Sequence, residues 1–323
     1  MKYTANEWLE RYYHYVLLNT SVGAKAKEYL QKRYINEEMI KEFKIGYSPS
    51  RVEPTLGFLK AKGFSFNELI NQKVLIRYQS GKYKGKLSDP FKGRIVFPIK
   101  NFQGKTVAFG GRTLDKNNKV KYINSGENPH FIKGDNLYGF SQAKEHIRRE
   151  GYVILLEGYF DVIRAHQNNI KNTVATLGTS LTRNQALLIK SVTPNVLIAF
   201  DGDDAGIESS FKSTSVLKEV GCTVRIGHIK NGLDADDFIR KYGPERFRRE
   251  VVSQAKPFLN RFIEHEMTKY NLNLPEDRFA YASKVLNVIS KIGADEKEKN
   301  LMLLGETLNI PLNVIYQRIK SGV

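Results

Sequence analysis

Three stretches decide the fold: Val153-Ile154-Leu155-Leu156-Glu157-Gly158-Tyr159-Phe160-Asp161, Val196-Leu197-Ile198-Ala199-Phe200-Asp201-Gly202-Asp203-Asp204 and Gly232-Leu233-Asp234-Ala235-Asp236-Asp237. In the first two an unbroken apolar run ends on a carboxylate, and such a run is the pattern of a strand buried on both faces of a parallel sheet. Ligands of open α/β sheets bind beyond the carboxyl ends of the strands. Three acidic clusters are therefore expected at one sheet edge. Carboxylates brought that close repel one another unless a hard cation lies between them, and Mg²⁺ takes oxygen ligands. The expectation is a site for Mg²⁺ (or Mn²⁺) and phosphate chemistry.

The spacing within each cluster refines this. Asp161 lies four residues after Glu157, one helical turn if the helix starts at once. Asp201 and Asp203 are two apart, so an extended backbone points both the same way, and Asp234 and Asp236 repeat that spacing. A single Asp-x-Asp is ordinarily a surface turn or a helix cap; three acidic clusters at expected strand ends are much harder to dismiss. Glu157, Asp201 and Asp203 are the candidate catalytic residues, and these three with Asp161, Asp234 and Asp236 the candidate metal ligands. Asp204 and Asp237 read as helix N-caps. Glu157 serves either as a metal ligand or as a general base, and both roles stay open. Gly202 and Gly206 would allow a tight turn and close approach of a phosphate.

Outward from these motifs, residues 140–250 alternate strand and helix, with strands near 153–157, 172–176, 196–200 and 223–226 and helices near 159–167 and 205–220. That is a βαβ pattern with right-handed crossovers. Residues 6–45 read as helices. Residues 50–139 are richer in Gly, with β-like segments at 95–99 and 106–109 and turns at Gln103-Gly104 and Asn117-Asn118. Residues 251–320 read as helices without strands, with Phe258, Phe262, Leu286, Ile289, Leu301, Leu304 and Ile315 in their shared core. The fold class is α/β, or α+β overall. It comprises a mixed basic subdomain over 1–139, a central βαβ sheet over 140–250 and a helical subdomain over 251–323.

The chain has 323 residues, a formal charge of +17 and a pI near 9.6, which points to a polyanionic partner. The charge is unevenly placed: residues 77–149 carry 16 Lys and Arg against 5 Asp and Glu, whereas residues 157–237 carry 8 against 10. A basic region preceding an acidic one suits an enzyme that grips phosphates. Cys222 is the only cysteine, so a disulfide or a cysteine-based zinc site within the chain is excluded. No apolar run approaches a membrane span and Met1–Glu7 has no apolar signal region, so a cytoplasmic, membrane-free monomer is expected. The six His are scattered without ligand spacing, and His166 reads as structural. Gly104-Lys105-Thr106 lacks the upstream Gly of a phosphate-binding loop.

Glu-Gly-Tyr-Phe-Asp at 157–161, Asp-Gly-Asp-Asp-Ala-Gly at 201–206 and Asp-Ala-Asp at 234–236 resemble the Toprim domain of bacterial primases, type IA and type II topoisomerases and some nucleases. Phe91–Ile99, Phe109-Gly110-Gly111-Arg112, Val120–Ser125, Phe131-Ile132-Lys133-Gly134 and Leu137-Tyr138-Gly139 narrow the resemblance to the DnaG-type primases. Tyr29-Leu30-Gln31-Lys32-Arg33 is similar to that family's early helical motif. The resemblance covers nearly the whole chain. It implies that the acidic residues bind catalytic divalent metals. It also implies that Arg94, Arg112, Lys121 and Lys133 contact phosphates, with Asn124 nearby and Arg33 a further candidate.

The expected activity is synthesis of short RNA primers on a single-stranded DNA template from ribonucleoside triphosphates, giving an RNA–DNA hybrid. No zinc-ligand pattern and no segment resembling a helicase-binding domain are present. Those parts, and the replicative helicase as partner, are expected only of the full-length protein. Two rivals remain at this stage: a Toprim topoisomerase or nuclease, which would cut DNA, and a non-catalytic module that binds nucleotides or single-stranded nucleic acid.

Overall fold

The computed structural model describes residues 4–178, 180–290, 294–311, 313–314 and 317, with the side chains of 294–296 and 299 left aside. The first of the three apolar runs is an inner strand of a five-stranded sheet. Its order is Lys256–Pro257, Thr223–Ile226, Asn195–Ile198, Val153–Leu156 and Thr173–Ala175, parallel except for the first strand. Val153–Leu156 is wholly buried, as strands covered by helices on both faces must be. Helices Tyr159–Gln167 and Ala235–Tyr242 lie on one face. Phe140–Glu150, Arg183–Lys190 and Asp204–Glu219 supply Phe140, Ala186 and Leu217 to the other.

The N-terminal part is built on an antiparallel sheet, Gly46–Tyr47, Arg94–Lys100, Thr106–Thr113 and Tyr122–Asn124 in that order. Helix Ala5–Asn19 packs on it, opened by a capping box in which Thr4 accepts from the Glu7 N–H and Glu7 returns the bond to Thr4. Helices Ala24–Lys32 and Glu37–Glu42 follow, as the aromatic spacing of 6–45 predicts. The Gly-rich stretch also holds two helices that its sequence does not announce, Glu53–Ala61 and Phe66–Asn71. Gln103-Gly104 is the expected turn, with Gly104 in the left-handed region and its N–H donated to Asn101 at 2.9 Å.

Beyond 257 the described residues include helices Phe258–Met267, Pro275–Ile289 and Ala294–Leu308, packed around Leu259, Phe262, Tyr281, Val285, Ile289, Leu301 and Leu304. Leu286 is only partly buried against them, and Ile315 falls outside the described residues. The short antiparallel edge strand Lys256–Pro257 corrects the reading of this region as free of strands. Both residues are exposed, so no alternation marks it, and it ties the start of the helical region to the parallel sheet.

The two sheets meet at Tyr159. Its ring stacks on Phe97 at 4.8 Å and stands edge-on to Tyr138 at 4.6 Å. A Cβ at Gly110 would come within 2.7 Å of Tyr159 Cε2, and one at Gly111 within 2.5 Å of the Phe91 ring. The Gly-Gly pair therefore exists for close packing. Gly110→Ala is expected to destabilise the protein by about 1–3 kcal/mol, because a stacked, buried ring cannot move aside; urea unfolding reads this, and a change below about 0.5 kcal/mol would mean the junction is soft.

Candidate metal centre and nucleic-acid interface

Glu157 follows the Val153–Leu156 strand directly, and Asp201 and Asp203 follow Asn195–Ile198. The Asp201 N–H donates to Glu157 Oε1 at 3.1 Å, so the first two acidic motifs are tied together. Gly202 donates its N–H to the Leu233 carbonyl at 2.9 Å, and a Cβ on it would overlap the Ile229 carbonyl. This brings in the third motif. Gly202 and Gly206 thus admit the neighbouring backbone rather than a phosphate.

Burial holds the Asp201 carboxyl up at about 8, with Asp161, Glu157, Asp234 and Asp203 each adding repulsion. Glu157 is raised by burial and then by Asp203, and Asp234 is raised chiefly by burial. Among the described residues no hydrogen bond reaches the Asp201 carboxylate. Glu157, Asp201 and Asp203 offer oxygen donors only, and the mutual repulsion at Asp201 is what a divalent cation would relieve. The donor set therefore fits Mg²⁺ or Mn²⁺. No three His, Cys, Asp or Glu among the described residues are gathered into a ready-made cage. Mg²⁺ usually keeps several waters and takes one or two carboxylates plus substrate phosphates, so an open cluster suits it.

Several of the acidic candidates, Asp203 of the donor set among them, also have structural tasks. Asp203 and Asp234 are the N-caps, accepting from Gly206 at 2.8 Å and Asp237 at 2.6 Å, while Asp204 and Asp237 lie in the first helical turns. This corrects the assignment of the caps to Asp204 and Asp237 by one and three positions. Asp236, fully buried, accepts from Arg164 Nε at 2.7 Å and Arg33 at 3.0 Å. The expectation that Asp234 and Asp236 point the same way fails because they open a helix, where residues two apart diverge. Asp161 is also buried; its two oxygens accept the N–H groups of Gly158 at 2.8 Å and Asp236 at 3.0 Å. Its pKa is raised by burial, then by Asp234. Asp161 and Asp236 therefore brace the loops that hold the other carboxylates. Arg33 pairs with Asp236 and lies over Phe160 at 4.5 Å, on the same brace.

The basic motifs reach the same sheet edge. Asn124 donates to the carbonyl of Leu177, just past the Thr173–Ala175 strand, at 2.7 Å, and accepts from the Tyr159 hydroxyl. Farther along, Gln185 donates to the Lys133 and Asn136 carbonyls at 3.3 and 2.8 Å. Arg112 has no carboxylate partner among the described residues. Its guanidinium lies over Tyr29 at 4.4 Å and Tyr122 at 5.7 Å, and its buried Nε has no acceptor. Lys121 is exposed, and Lys133 is half-buried. Arg94 departs from expectation. It is 8 % exposed and donates to the carbonyls of Val120 and Lys121 at 3.2–3.3 Å, so it fixes the segment carrying Lys121. Arg164 and Tyr159 were not singled out in the sequence, although both lie in the first acidic motif's helix. His166 is buried, near the Thr173 carbonyl and edge-on to Phe43, as a structural histidine would be.

Residues 12–144 match the DNA primase catalytic core, N-terminal domain, and residues 154–239 match the Toprim-like family. A DNA primase of Halalkalibacterium halodurans is 38% identical over 312 residues, 96% of this chain and 51% of that protein. The zinc-binding and RNA polymerase domains of Aquifex aeolicus primase superpose with a TM-score of 0.78 at 32% identity, over 97% of this chain and 74% of that one. A DnaG primase catalytic domain bound to ssDNA gives a TM-score of 0.79 at 30% identity, over 95% of each chain. The chain belongs to the DnaG-type primase catalytic-core family. It spans about half the length of the curated primases it matches. The mixed helix-and-sheet fold with its Toprim sheet is that of the family.

Proposed function

We propose that this chain is the RNA-polymerising core of a DNA primase, joining ribonucleoside triphosphates on a single-stranded DNA template. The observation that carries this is the placement of Asn124, tied to Leu177 and Tyr159, which brings the basic antiparallel sheet to the carboxyl edge where Glu157 and Asp201 lie. On this reading the cations of that sheet and the carboxylates of the edge flank one groove. A topoisomerase or nuclease needs the carboxylates but not this basic sheet.

Glu157, Asp201 and Asp203 would hold the divalent metal, Mg²⁺ or Mn²⁺, which when bound would supply charge neutralisation at the triphosphate and activation of the attacking hydroxyl. The 3′ oxygen of one ribonucleotide bonds to the α-phosphorus of the next, its proton leaves, and pyrophosphate departs. Glu157, with its raised pKa, is either a ligand or the acceptor of that proton. Arg112, Lys121 and Lys133 grip phosphates, the guanidinium of Arg112 being suited to two parallel hydrogen bonds. Asn124 and Arg94 keep these groups in register with the acidic edge. Tyr159 and the Asp161–Asp236 brace hold the edge itself. In the full-length protein a zinc-binding domain and the replicative helicase join this core.

Extension of a short primed template by labelled ribonucleotides tests the reading. Template-dependent RNA is expected with Mg²⁺ or Mn²⁺ and none with a chelator. Relaxation or nicking of supercoiled plasmid instead of extension would replace polymerase with topoisomerase or nuclease. Arg112→Lys is expected to raise the KM for nucleotide about tenfold, because a point charge cannot make the paired bonds; an unchanged KM would remove Arg112 from the phosphate site.

A further inference from the structure

We propose that the hairpin spanning residues 76–88 is a second nucleic-acid contact, a basic finger that takes single-stranded DNA beyond the catalytic groove. The inference rests on the nucleic-acid reading above but concerns a hairpin outside the family motifs quoted in the sequence analysis, only Lys92 at its base lying within one of them. Strands Ile76–Arg77 and Leu87–Ser88 pair antiparallel, and the ribbon is closed by Tyr78 donating to Lys86 at 3.1 Å and Gly85 donating to Tyr78 at 2.8 Å. Gly81 and Gly85 take the left-handed conformations of its turns. Residues 79–86 are all exposed.

Arg77, Lys82, Lys84, Lys86 and Lys92 fall on or beside this ribbon, and the single acid of the stretch, Asp89, is buried on Tyr13 and Ser48. No carboxylate among the described residues is within ion-pair distance of these five cations. Lysines on a short exposed ribbon are also a device against edge-to-edge aggregation. That device does not require an aromatic ring in water, and Tyr83 is 51 % exposed beside them. Tyr83 lies 5.9 Å from Tyr78, with Lys86 over Tyr83 at 5.8 Å and Lys92 over Tyr78 at 5.6 Å. Cations around a free ring match a strand with unstacked bases and evenly spaced phosphates. A duplex would hide the base faces that Tyr83 could stack on.

The root of the hairpin touches the proposed groove. Asn128 donates to the Gln72 carbonyl at 3.0 Å, Lys92 donates to the Tyr78 hydroxyl at 3.2 Å, and Phe91 packs on Phe109 and against Gly111. A strand held by Arg112 and Lys121 therefore has a basic path outward past Lys92 to the turn at 80–85, which the paired residues 76–78 carry about 10 Å away.

The test is fluorescence anisotropy of labelled oligothymidylates of graded length, at several salt concentrations, with parent chain, Lys82→Ala/Lys84→Ala/Lys86→Ala, the corresponding triple Arg variant, and Tyr83→Ala. For long strands the triple Ala variant is expected to lose about tenfold in affinity and about two units of salt slope, since each phosphate contact contributes about 0.7. The Arg variant should retain both. Tyr83→Ala should lose about fivefold without changing the slope. Strands too short to reach the tip should bind all four proteins alike. Unchanged affinity and slope in the triple Ala variant, with the parent binding well, overturns the finger alone. A parent that binds no single strand overturns both the finger and the polymerase reading. Equal losses on duplex and single strand would overturn single-strand selectivity and leave a general phosphate contact.

Discussion

Asp201→Asn is expected to abolish primed-template extension, by at least about a thousandfold, while making the metal-free protein more stable. The two effects have one cause. Burial and four neighbouring carboxylates push Asp201 up to about 8, so the folded chain pays for its charge in the absence of a cation. The folded-state pKa lies above the unfolded value of about 3.9, so the native state binds more protons than the unfolded chain, and stability falls as pH rises from about 4 to about 8. An amide removes that loss. Partial exposure of the group limits the gain to roughly 1–2 kcal/mol near neutral pH. Mg²⁺ should restore stability in the parent and do much less in the variant, because the cation removes the repulsion that the amide has already removed. Melting curves at pH 5, 7 and 8.5, with Mg²⁺ and with chelator, check this. A variant as fully stabilised by Mg²⁺ as the parent would take Asp201 out of the metal site, whatever its activity.

The parallel sheet was readable because nothing but apolar residues can fill strands covered on both faces. The expected strands near 153–157, 172–176, 196–200 and 223–226 match Val153–Leu156, Thr173–Ala175, Asn195–Ile198 and Thr223–Ile226. Convergence of the acidic motifs followed from strand polarity alone. What a strand rule could not supply was the direction of side chains after the strand stops. Asp203 and Asp234 are both caps, and Asp236 turns inward where a two-residue period would have kept it beside Asp234. The basic motifs show the same boundary. Residue type marks Arg94 and Arg112 alike as phosphate candidates, but only tertiary structure places Arg94 against backbone carbonyls and leaves Arg112 between two rings with an unpaired Nε. Glycine had two readings as well: Gly110 and Gly202 could admit a ligand or the protein itself, and here the packing partner is Tyr159 in one case and Ile229 in the other. The hairpin, marked by neither period, falls in the sequence only within the basic stretch 77–149.

Asp236→Ala should instead be the most destabilising of these substitutions, at about 3–5 kcal/mol. Among the described residues its carboxylate is the only acid bonded to Arg164, whose side chain is 4% exposed, and to the partly buried Arg33. Removing it leaves the Arg33 guanidinium with the Phe160 ring and the Arg164 guanidinium with the carbonyls of Tyr34 and Arg33. Breaking one partner of a buried ion pair costs far more than the pair contributes, whereas replacing the whole set by apolar residues is often neutral. The triple variant Asp236→Leu/Arg33→Met/Arg164→Met is therefore expected to recover most of the loss. Urea denaturation measures both, and the response to Mg²⁺ separates a brace from a ligand. If Asp236 is a brace, Mg²⁺ stabilises the triple variant as it does the parent. If Asp236 holds the metal, that stabilisation disappears with it, and a loss below about 1 kcal/mol in Asp236→Ala would point the same way. The brace reaches the acidic edge as well: Asp161 accepts the N–H groups of Asp236 and Gly158, so the clamp on the Asp236 carboxylate and the loop after Glu157 are parts of one support.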